Sequence, residues 1–131
     1  MLLVAFDTPN HLPTTRWDWK KAANGERQQM PSGILLSESG SSTLEFTRLS
    51  QLTGDQRYHD TIQRITNLFD KQQSKTKLPG LWPVNVSPKD ENFTSDTTLV
   101  GMSDSLYEYF PKEYALHGGL VLVYQKLYSS L

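Results

Sequence analysis

The sequence contains no cysteine and has no excess of basic charge. Thirteen Lys and Arg residues stand against fourteen Asp and Glu residues in a chain of 131, which gives a net charge of −1. The absence of cysteine excludes disulfides and thiolate chemistry within this chain and leaves its compartment undecided. The balanced charge removes the basic footprint with which proteins usually bind nucleic acid or anionic membranes.

Long hydrophobic runs are also missing. The longest late run, 118–124, has seven residues, whereas a membrane-spanning helix needs about 18 or more. The apolar start at 1–6 lacks a basic region and soon reaches Asp7, so we expect no signal or transmembrane segment in this chain. About 38% of the residues are apolar when glycine is counted and tyrosine is not, below the roughly 45–50% of typical globular chains. The core is therefore expected to be thin for the length.

The first half of the chain predicts a loop followed by a helical hairpin. Residues 7–33 are rich in proline and glycine, which favours an irregular loop. Apolar residues on one helical face predict a helix over 34–52, and Gly54 is placed for a left-handed cap. Asp55 can cap a second helix. The hairpin is expected over 34–70, followed by a polar linker. The apolar stripe of its second helix is Tyr58, Ile62, Ile65 and Phe69.

The second half predicts a β-prone loop over 78–100 and helices over 104–131. The runs 81–86 and 93–99 are β-prone and suggest a small β-hairpin. Asp104 or Ser105 suits a helix N-cap, and Pro111 should kink or restart that helix. Gly118 and Gly119 should end it. A last helix would place Leu120, Val123, Tyr124, Leu127 and Leu131 on one face, with a buried strand at 120–124 as the alternative. The expected fold is mainly α, with αα-hairpins and a small β-hairpin, in one domain over 1–131.

Few side chains suggest chemistry by spacing alone. The three histidines, His11, His59 and His117, show no ligand spacing, so no metal site is predicted. Acidic pairs are more promising, because Glu38 and Glu45 lie seven residues apart on the first predicted helix, while Asp104 and Glu108 lie four apart on a later one. The two pairs could line one cleft, but composition alone favours the alternative that each residue caps a helix or is simply exposed. The tryptophans that lie in or beside loops are Trp17, Trp19 and Trp82.

Five blocks in order resemble one family, the class I α-1,2-mannosidases of glycoside hydrolase family 47, and most closely its fungal members. The blocks are Leu2-Leu-Val-Ala-Phe-Asp-Thr-Pro9, Arg16-Trp-Asp-Trp19, Leu44-Glu-Phe-Thr-Arg-Leu-Ser-Gln-Leu-Thr-Gly-Asp55, Leu78-Pro-Gly-Leu-Trp-Pro83 and Gly101-Met-Ser-Asp-Ser-Leu-Tyr-Glu-Tyr109 with Pro111-Lys-Glu-Tyr114. The resemblance implies an (αα)₇ barrel, calcium dependence and inverting hydrolysis of terminal α-1,2-linked mannose from high-mannose N-glycans. It places the parent enzyme in the secretory pathway, in the endoplasmic reticulum or Golgi.

The resemblance also implies roles for two carboxylates. Asp104 matches a catalytic carboxylate of the family, and Glu38 matches an acid that faces the substrate groove. This chain has Ser37 and Ser103 where the family commonly has alanine before each acid. Inversion requires a second carboxylate roughly 6.5–9.5 Å away. In the family the other carboxylates and the calcium-binding threonine lie in segments outside this chain.

Two hairpins cannot close a barrel of seven, so the chain is interpreted as a fragment that needs the remainder of the barrel to fold. Alone, it is expected to be inactive and marginally stable. A second hypothesis is a non-catalytic mannose-binding module that uses the three tryptophans with Glu38. A third is a structural helical hairpin that dimerises through the Tyr58, Ile62, Ile65 and Phe69 stripe.

Overall fold

The computed structural model describes residues 2–27, 29, 32–89, 93 and 104–129, and the chain is mainly helical there. A 3₁₀ helix, Leu2–Phe6, precedes the first α-helix, and a second one, Gln73–Lys75, follows the longest. The α-helices are α1 (Trp19–Ala23), α2 (Leu36–Gly40), α3 (Thr43–Thr53), α4 (Gln56–Gln72), α5 (Asp104–Leu116) and α6 (Leu122–Ser129). Two short strands, β1 (Ile34–Leu35) and β2 (Asn85–Val86), form one antiparallel pair. Within the described residues, no helix is both long and apolar enough to span a membrane.

The α3–α4 hairpin forms as the sequence predicts. Gly54 ends α3 with a φ of 71°, a left-handed conformation that glycine adopts without steric cost, and its N–H donates to the Ser50 carbonyl at 2.8 Å. Asp55 then caps α4, since its Oδ1 accepts from the Arg57 N–H at 3.0 Å. Ile62 is buried like the other inward residues of α4, Ile65 and Phe69. Because the core of this chain already uses these side chains, they are not available as a dimer interface.

The helix predicted over 34–52 is wrong in its first third. Ile34 and Leu35 are strand residues that pair with Val86 and Asn85. The helix that follows is interrupted at 41–42, and α3 begins only after that break. The β-hairpin predicted between 81–86 and 93–99 is not tested, and within the described residues β2 pairs with β1 across the helical hairpin. Apart from Phe93, the second predicted strand lies outside the described residues.

Loop predictions are partly confirmed. Most of 7–33 is irregular, but α1 forms where Asp18 caps it by accepting from the N–H groups of Lys20 and Lys21. The polar linker predicted after residue 70 is instead partly folded. Gln73 is buried there, and its Nε2 donates to the Lys126 carbonyl at 3.0 Å. A polar side chain thus ties the end of α4 to α6.

The two C-terminal helices follow the predicted order with two differences. The helix α5 runs unbroken through Pro111 rather than restarting there. Gly118 and Gly119, with φ values of 63° and 76°, then turn the chain toward α6. The last helix begins at Leu122, which leaves Leu120 outside it and 83% exposed, so its predicted place on the buried face is wrong. Tyr124 and Leu127 are buried as predicted, and Leu131 lies outside the described residues.

The core contains a cluster of aromatic rings between α4, α5 and the 78–93 segment. Phe69 packs edge to face on Trp82, Phe93 and Phe110, with centroid distances of 5.1, 6.3 and 5.6 Å. Trp82 is fully buried, and its indole nitrogen has no hydrogen-bond partner among the described residues. Edge-to-face packing adds stability beyond simple burial. The cluster holds β2 and its approach segment against the helices.

Candidate functional site

Glu38 lies in the first turn of α2 and points its exposed side chain toward two cavities. One has a volume of about 400 Å³ and the other about 220 Å³, and Glu38 lines both. Its carboxylate makes no hydrogen bond or ion pair to the described part of the chain. The backbone places it there because α2 directly follows β1, which β2 fixes by pairing. An exposed carboxylate that has no partner in the described ranges and lies beside a cavity is accessible to a ligand.

Asp104 is the first residue of α5 and is also exposed. Its Oδ1 accepts from the Ser105 N–H at 2.9 Å, a local contact that orients the carboxylate at the helix N-terminus. Asp104 is not among the residues that line the two cavities beside Glu38. Ser103, which precedes it, lies outside the described residues.

The structure brings the segments of these two carboxylates together. Ser41, three residues after Glu38, has its Oγ 3.5 Å from the Oγ of Ser105, the neighbour of Asp104. The approach depends on Gly40, because a Cβ built there would lie only 2.2 Å from the Leu106 Cδ1. The lack of a side chain at this position therefore lets α2 pack directly on the first turn of α5.

The predicted acidic pairs are only partly retained. Because the helix breaks at 41–42, Glu38 and Glu45 lie on different helices, and the prediction that they share one helix is wrong. Glu45 instead accepts from the Tyr109 Oη at 3.1 Å, which links α3 to α5. Burial and this carboxylate together raise the pKa of Tyr109. Glu108 pairs with Lys112 at 2.8 Å in a surface contact.

The three tryptophans occupy different environments. Trp17 is half-buried, packs against the core and lines the larger cavity with Glu38. Trp19 is 56% exposed, with the Lys20 Nζ 5.7 Å from its ring centroid. Trp82 is fully buried in the aromatic cluster and cannot stack on a ligand. Of the three, Trp17 alone lies beside Glu38, so a glycan surface that uses all three is ruled out.

Sequence reasoning missed a buried carboxyl on α5. Glu113 is fully buried, and its Oε1 accepts from the Thr47 hydroxyl at 3.1 Å while its Oε2 lies 3.5 Å from the His117 Nε2. Burial raises the pKa of Glu113, and burial lowers that of His117. The burial of Glu113 could have been predicted from the sequence, because it follows Leu106 and Phe110 at helical spacing on the buried face.

Metal-ligating side chains do not gather in the described part of the chain. No three His, Asp or Glu side chains lie there close enough together to hold a metal ion. His11 lines a cavity near α4, whereas His59 lies 3.8 Å from Asp60 and His117 faces Glu113. Within the described ranges, the three histidines therefore do not form a metal site together.

Comparison with known proteins gives one consistent result. The family model described as glycosyl hydrolase family 47 matches residues 1–131. A mannosyl-oligosaccharide 1,2-alpha-mannosidase of Arabidopsis thaliana is 32% identical over 114 residues, which cover 85% of this chain and 20% of that protein. A probable mannosyl-oligosaccharide alpha-1,2-mannosidase of Neosartorya fischeri is 36% identical over 117 residues, 87% of this chain and 23% of that protein. The chain thus spans about a fifth of the length of these curated relatives.

A solved structure extends the comparison to the fold. The alpha-1,2-mannosidase from Trichoderma reesei matches with a TM-score of 0.80 at 31% identity. The match covers 98% of this chain and 26% of that one. That enzyme is an (αα)₇ barrel, so the helices described above correspond to a segment of such a barrel.

Proposed function

Because the chain belongs to glycosyl hydrolase family 47, we propose that it is part of an enzyme that hydrolyses terminal α-1,2-linked mannose from N-glycans with inversion. The observation that carries the proposal is the match along the whole chain, in both sequence and structure, to mannosidases of plants and fungi. The exposed Asp104 and Glu38 on adjoining segments support it, because carboxylates are the groups that glycoside hydrolysis requires.

Asp104 is proposed as one of the two catalytic carboxylates. In an inverting reaction one carboxylic acid protonates the leaving oxygen and a second carboxylate removes a proton from the attacking water. Asp104 supplies one of these groups, held in orientation by the Ser105 N–H. The second is proposed to come from the remainder of the barrel, since one residue cannot act on both sides of the sugar. Glu38 is proposed to bind substrate hydroxyls through its exposed carboxylate.

Calcium and the compartment are further proposals that rest on the family. The described residues do not provide a cluster for a metal ion, so we propose that other segments hold the calcium. A glycan-processing role would place the parent enzyme in the secretory pathway. The remainder of the barrel is the proposed partner for the exposed apolar side chains Leu52, Leu120 and Leu122.

The test replaces the corresponding segment of the Trichoderma reesei enzyme with these 131 residues and measures hydrolysis of α-1,2-mannobiose. We expect the chimera to be active and Asp104→Asn to lower kcat by about a thousandfold or more, because a required carboxylate is lost. Glu108→Gln is the matched control, being an exposed acid on the same helix, and should keep the activity. A folded chimera in which Asp104→Asn retains its kcat would remove Asp104 from the catalytic role.

One observation favours a second candidate, a non-catalytic mannose-binding module. Trp17 and Glu38 line the same cavity within the chain, so sugar binding does not require Asp104. Saturable binding of mannobiose by a chimera that shows no hydrolysis would favour this candidate over the enzyme.

A further inference from the structure

A segment of three residues, Trp82, Pro83 and Val84, connects α5 with α2. We call it the 82–84 segment. At one end, the Trp82 N–H donates to the Oη of Tyr107, which lies in the first turn of α5, at 2.8 Å. At the other end, the Val84 carbonyl accepts from the N–H of Leu36, the first residue of α2, at 2.9 Å. Two hydrogen bonds and three residues therefore span the distance between the two helices.

The 82–84 segment has little conformational freedom. The side chains of Trp82 and Pro83 are fully buried, and the proline ring fixes the backbone angle φ near −65°. The Trp82 ring packs on Phe110 of α5, at a centroid distance of 6.0 Å, and on Phe69 of α4, at 5.1 Å. Because the burial, the ring packing and the proline each limit its motion, the segment keeps its two bonded ends at a fixed separation.

The two ends of the 82–84 segment lie next to the two candidate carboxylates. Tyr107 is three residues after Asp104, and Leu36 is two residues before Glu38. Among the described residues, neither carboxylate makes a hydrogen bond to the other's helix. The spacing between the two carboxylates therefore depends on the contacts that join α2 to α5.

We propose that the 82–84 segment, through Tyr107, positions Asp104 relative to Glu38 for the reaction. Tyr107 is a positioning residue, which acts by holding the first turn of α5 on the segment that also holds α2. The direct contact between the two helices secures only the C-terminal end of α2, so the first turn of α2 depends on the 82–84 segment. The roles of the two carboxylates in this inference rest on the proposed function, whereas the connection between the helices does not.

The test uses the chimera described above, in which the rest of the barrel is present. Tyr107→Phe removes the acceptor of the Trp82 N–H and keeps the aromatic ring. We expect kcat for α-1,2-mannobiose to fall about tenfold while KM stays within about twofold, because the substrate still binds but no longer lies at the right distance from Asp104. Tyr124→Phe is the matched control. It removes another buried tyrosine hydroxyl, bonded to Thr66 at 3.1 Å, and should lower stability without changing kcat or KM.

Amide hydrogen exchange of the same chimera tests the connection without any activity. In Tyr107→Phe, exchange across residues 34–38 should become about fivefold faster, because a bond lost at one end of the 82–84 segment weakens the hold on the Leu36 N–H at the other end. In Tyr124→Phe, exchange across 34–38 should stay as in the unsubstituted chimera.

Faster exchange across 34–38 together with a lower kcat at constant KM supports the proposal. Unchanged exchange in Tyr107→Phe would overturn the connection between the helices, and an unchanged kcat in an active chimera would overturn the positioning role. Equal losses of kcat in Tyr107→Phe and Tyr124→Phe would show general destabilisation and would also overturn that role. An inactive chimera would count against the proposed function, while the exchange result would still decide whether the connection exists.

Discussion

The backbone N–H of Trp82 donates to the Oη of Tyr107 at 2.8 Å. This bond joins the segment before β2 to the first turns of α5, beside the aromatic cluster in which Trp82 is fully buried. It connects the strand pair that positions Glu38 with the helix that begins at Asp104. Burial raises the pKa of Tyr107, while the bond from Trp82 acts in the opposite direction.

Tyr107→Phe should lower the free energy of unfolding by about 1–2 kcal/mol, because the N–H of the buried Trp82 loses its acceptor in a partly buried place. Urea-induced unfolding of the chimera proposed above, in which the rest of the barrel is present, measures the change by circular dichroism, and the variants below are tested in the same chimera. Tyr109→Phe is the matched control on the same helix, since its hydrogen bond to Glu45 is exposed, and should cost about 0.5 kcal/mol or less. Equal losses in the two variants would contradict the importance of the Trp82 bond.

Gly40→Ala should destabilise the chain by about 2 kcal/mol, because the new Cβ would overlap the fully buried Leu106. Thermal unfolding measures the effect, and Gly33→Ala serves as control because its nearest contact, the Val86 carbonyl at 3.9 Å, is ordinary. Leu106→Ala removes the atom that the new Cβ would overlap. The double variant should therefore be about 1 kcal/mol more stable than the sum of the two single effects predicts. Strict additivity would show that the two residues do not touch.

Glu113 should make stability fall as pH rises. Its folded-state pKa lies above the ordinary value of 4.5 because burial disfavours the charged form. Its contribution is complete below pH 4.5 and is lost as pH rises through the folded-state pKa, where the folded chain holds a proton that the unfolded chain has released. Glu113→Gln should remove this slope and gain about 1 kcal/mol at pH 8. Urea unfolding from pH 5 to 8 tests it, with the exposed Glu108→Gln as control.

His117 should act in the opposite direction. Burial, with a smaller effect from His59, lowers its pKa below the ordinary 6.5. The folded chain therefore binds fewer protons than the unfolded chain, and stability is lost as pH falls below 6.5 toward the folded-state pKa. In the Glu113→Gln variant, unfolding free energy is expected to rise from pH 5 to 7, and His117→Gln should flatten that rise. A rise unchanged by His117→Gln would assign it to another group.

Tyr124 should resist ionisation until high pH. Burial raises its pKa to about 12, although the hydrogen bond between its Oη and the Thr66 Oγ1, at 3.1 Å, acts the other way. Stability that depends on the neutral phenol is present below pH 10 and lost as pH approaches 12. Tyr124→Phe should therefore cost about 1 kcal/mol at neutral pH and show a shallower loss between pH 10 and 11. An unchanged alkaline slope in that variant would contradict the assignment.

The sequence predicted those parts of the fold that depend on residues close together in the chain. The turn at Gly54 and Asp55 follows from two neighbouring residues whose conformational and capping preferences agree, and the buried stripe of α4 follows from helical spacing. The break at 41–42 depends instead on Gly40 meeting Leu106 and on β1 meeting β2. Those contacts join residues far apart in the chain, and no window of local sequence contains them.

The candidate site likewise has features that the sequence predicted and features that only the structure shows. Asp104 and Glu38 were identified through their family blocks, and both are exposed on segments that touch through Ser41 and Ser105; their roles stay predictions. The hydroxyls of Thr14 and Ser42 are buried and make no hydrogen bond to a described residue. Nothing in the sequence indicates this, because a threonine in a proline-rich loop looks the same whether or not its hydroxyl finds a partner. Only the packed structure distinguishes the two cases.

The β1–β2 pair affects the order in which parts of the chain fold. It is only two residues wide, yet it closes a loop that contains the entire α3–α4 hairpin. Such a contact brings together chain segments that have first to diffuse toward each other, so the entropy of loop closure is lost before much stability returns. The α3–α4 hairpin can form early in folding from local contacts, whereas the β1–β2 pair forms later. Opening of this pair in the native state would remove the support of α2 and of Glu38 in its first turn, while α3 and α4 stay folded.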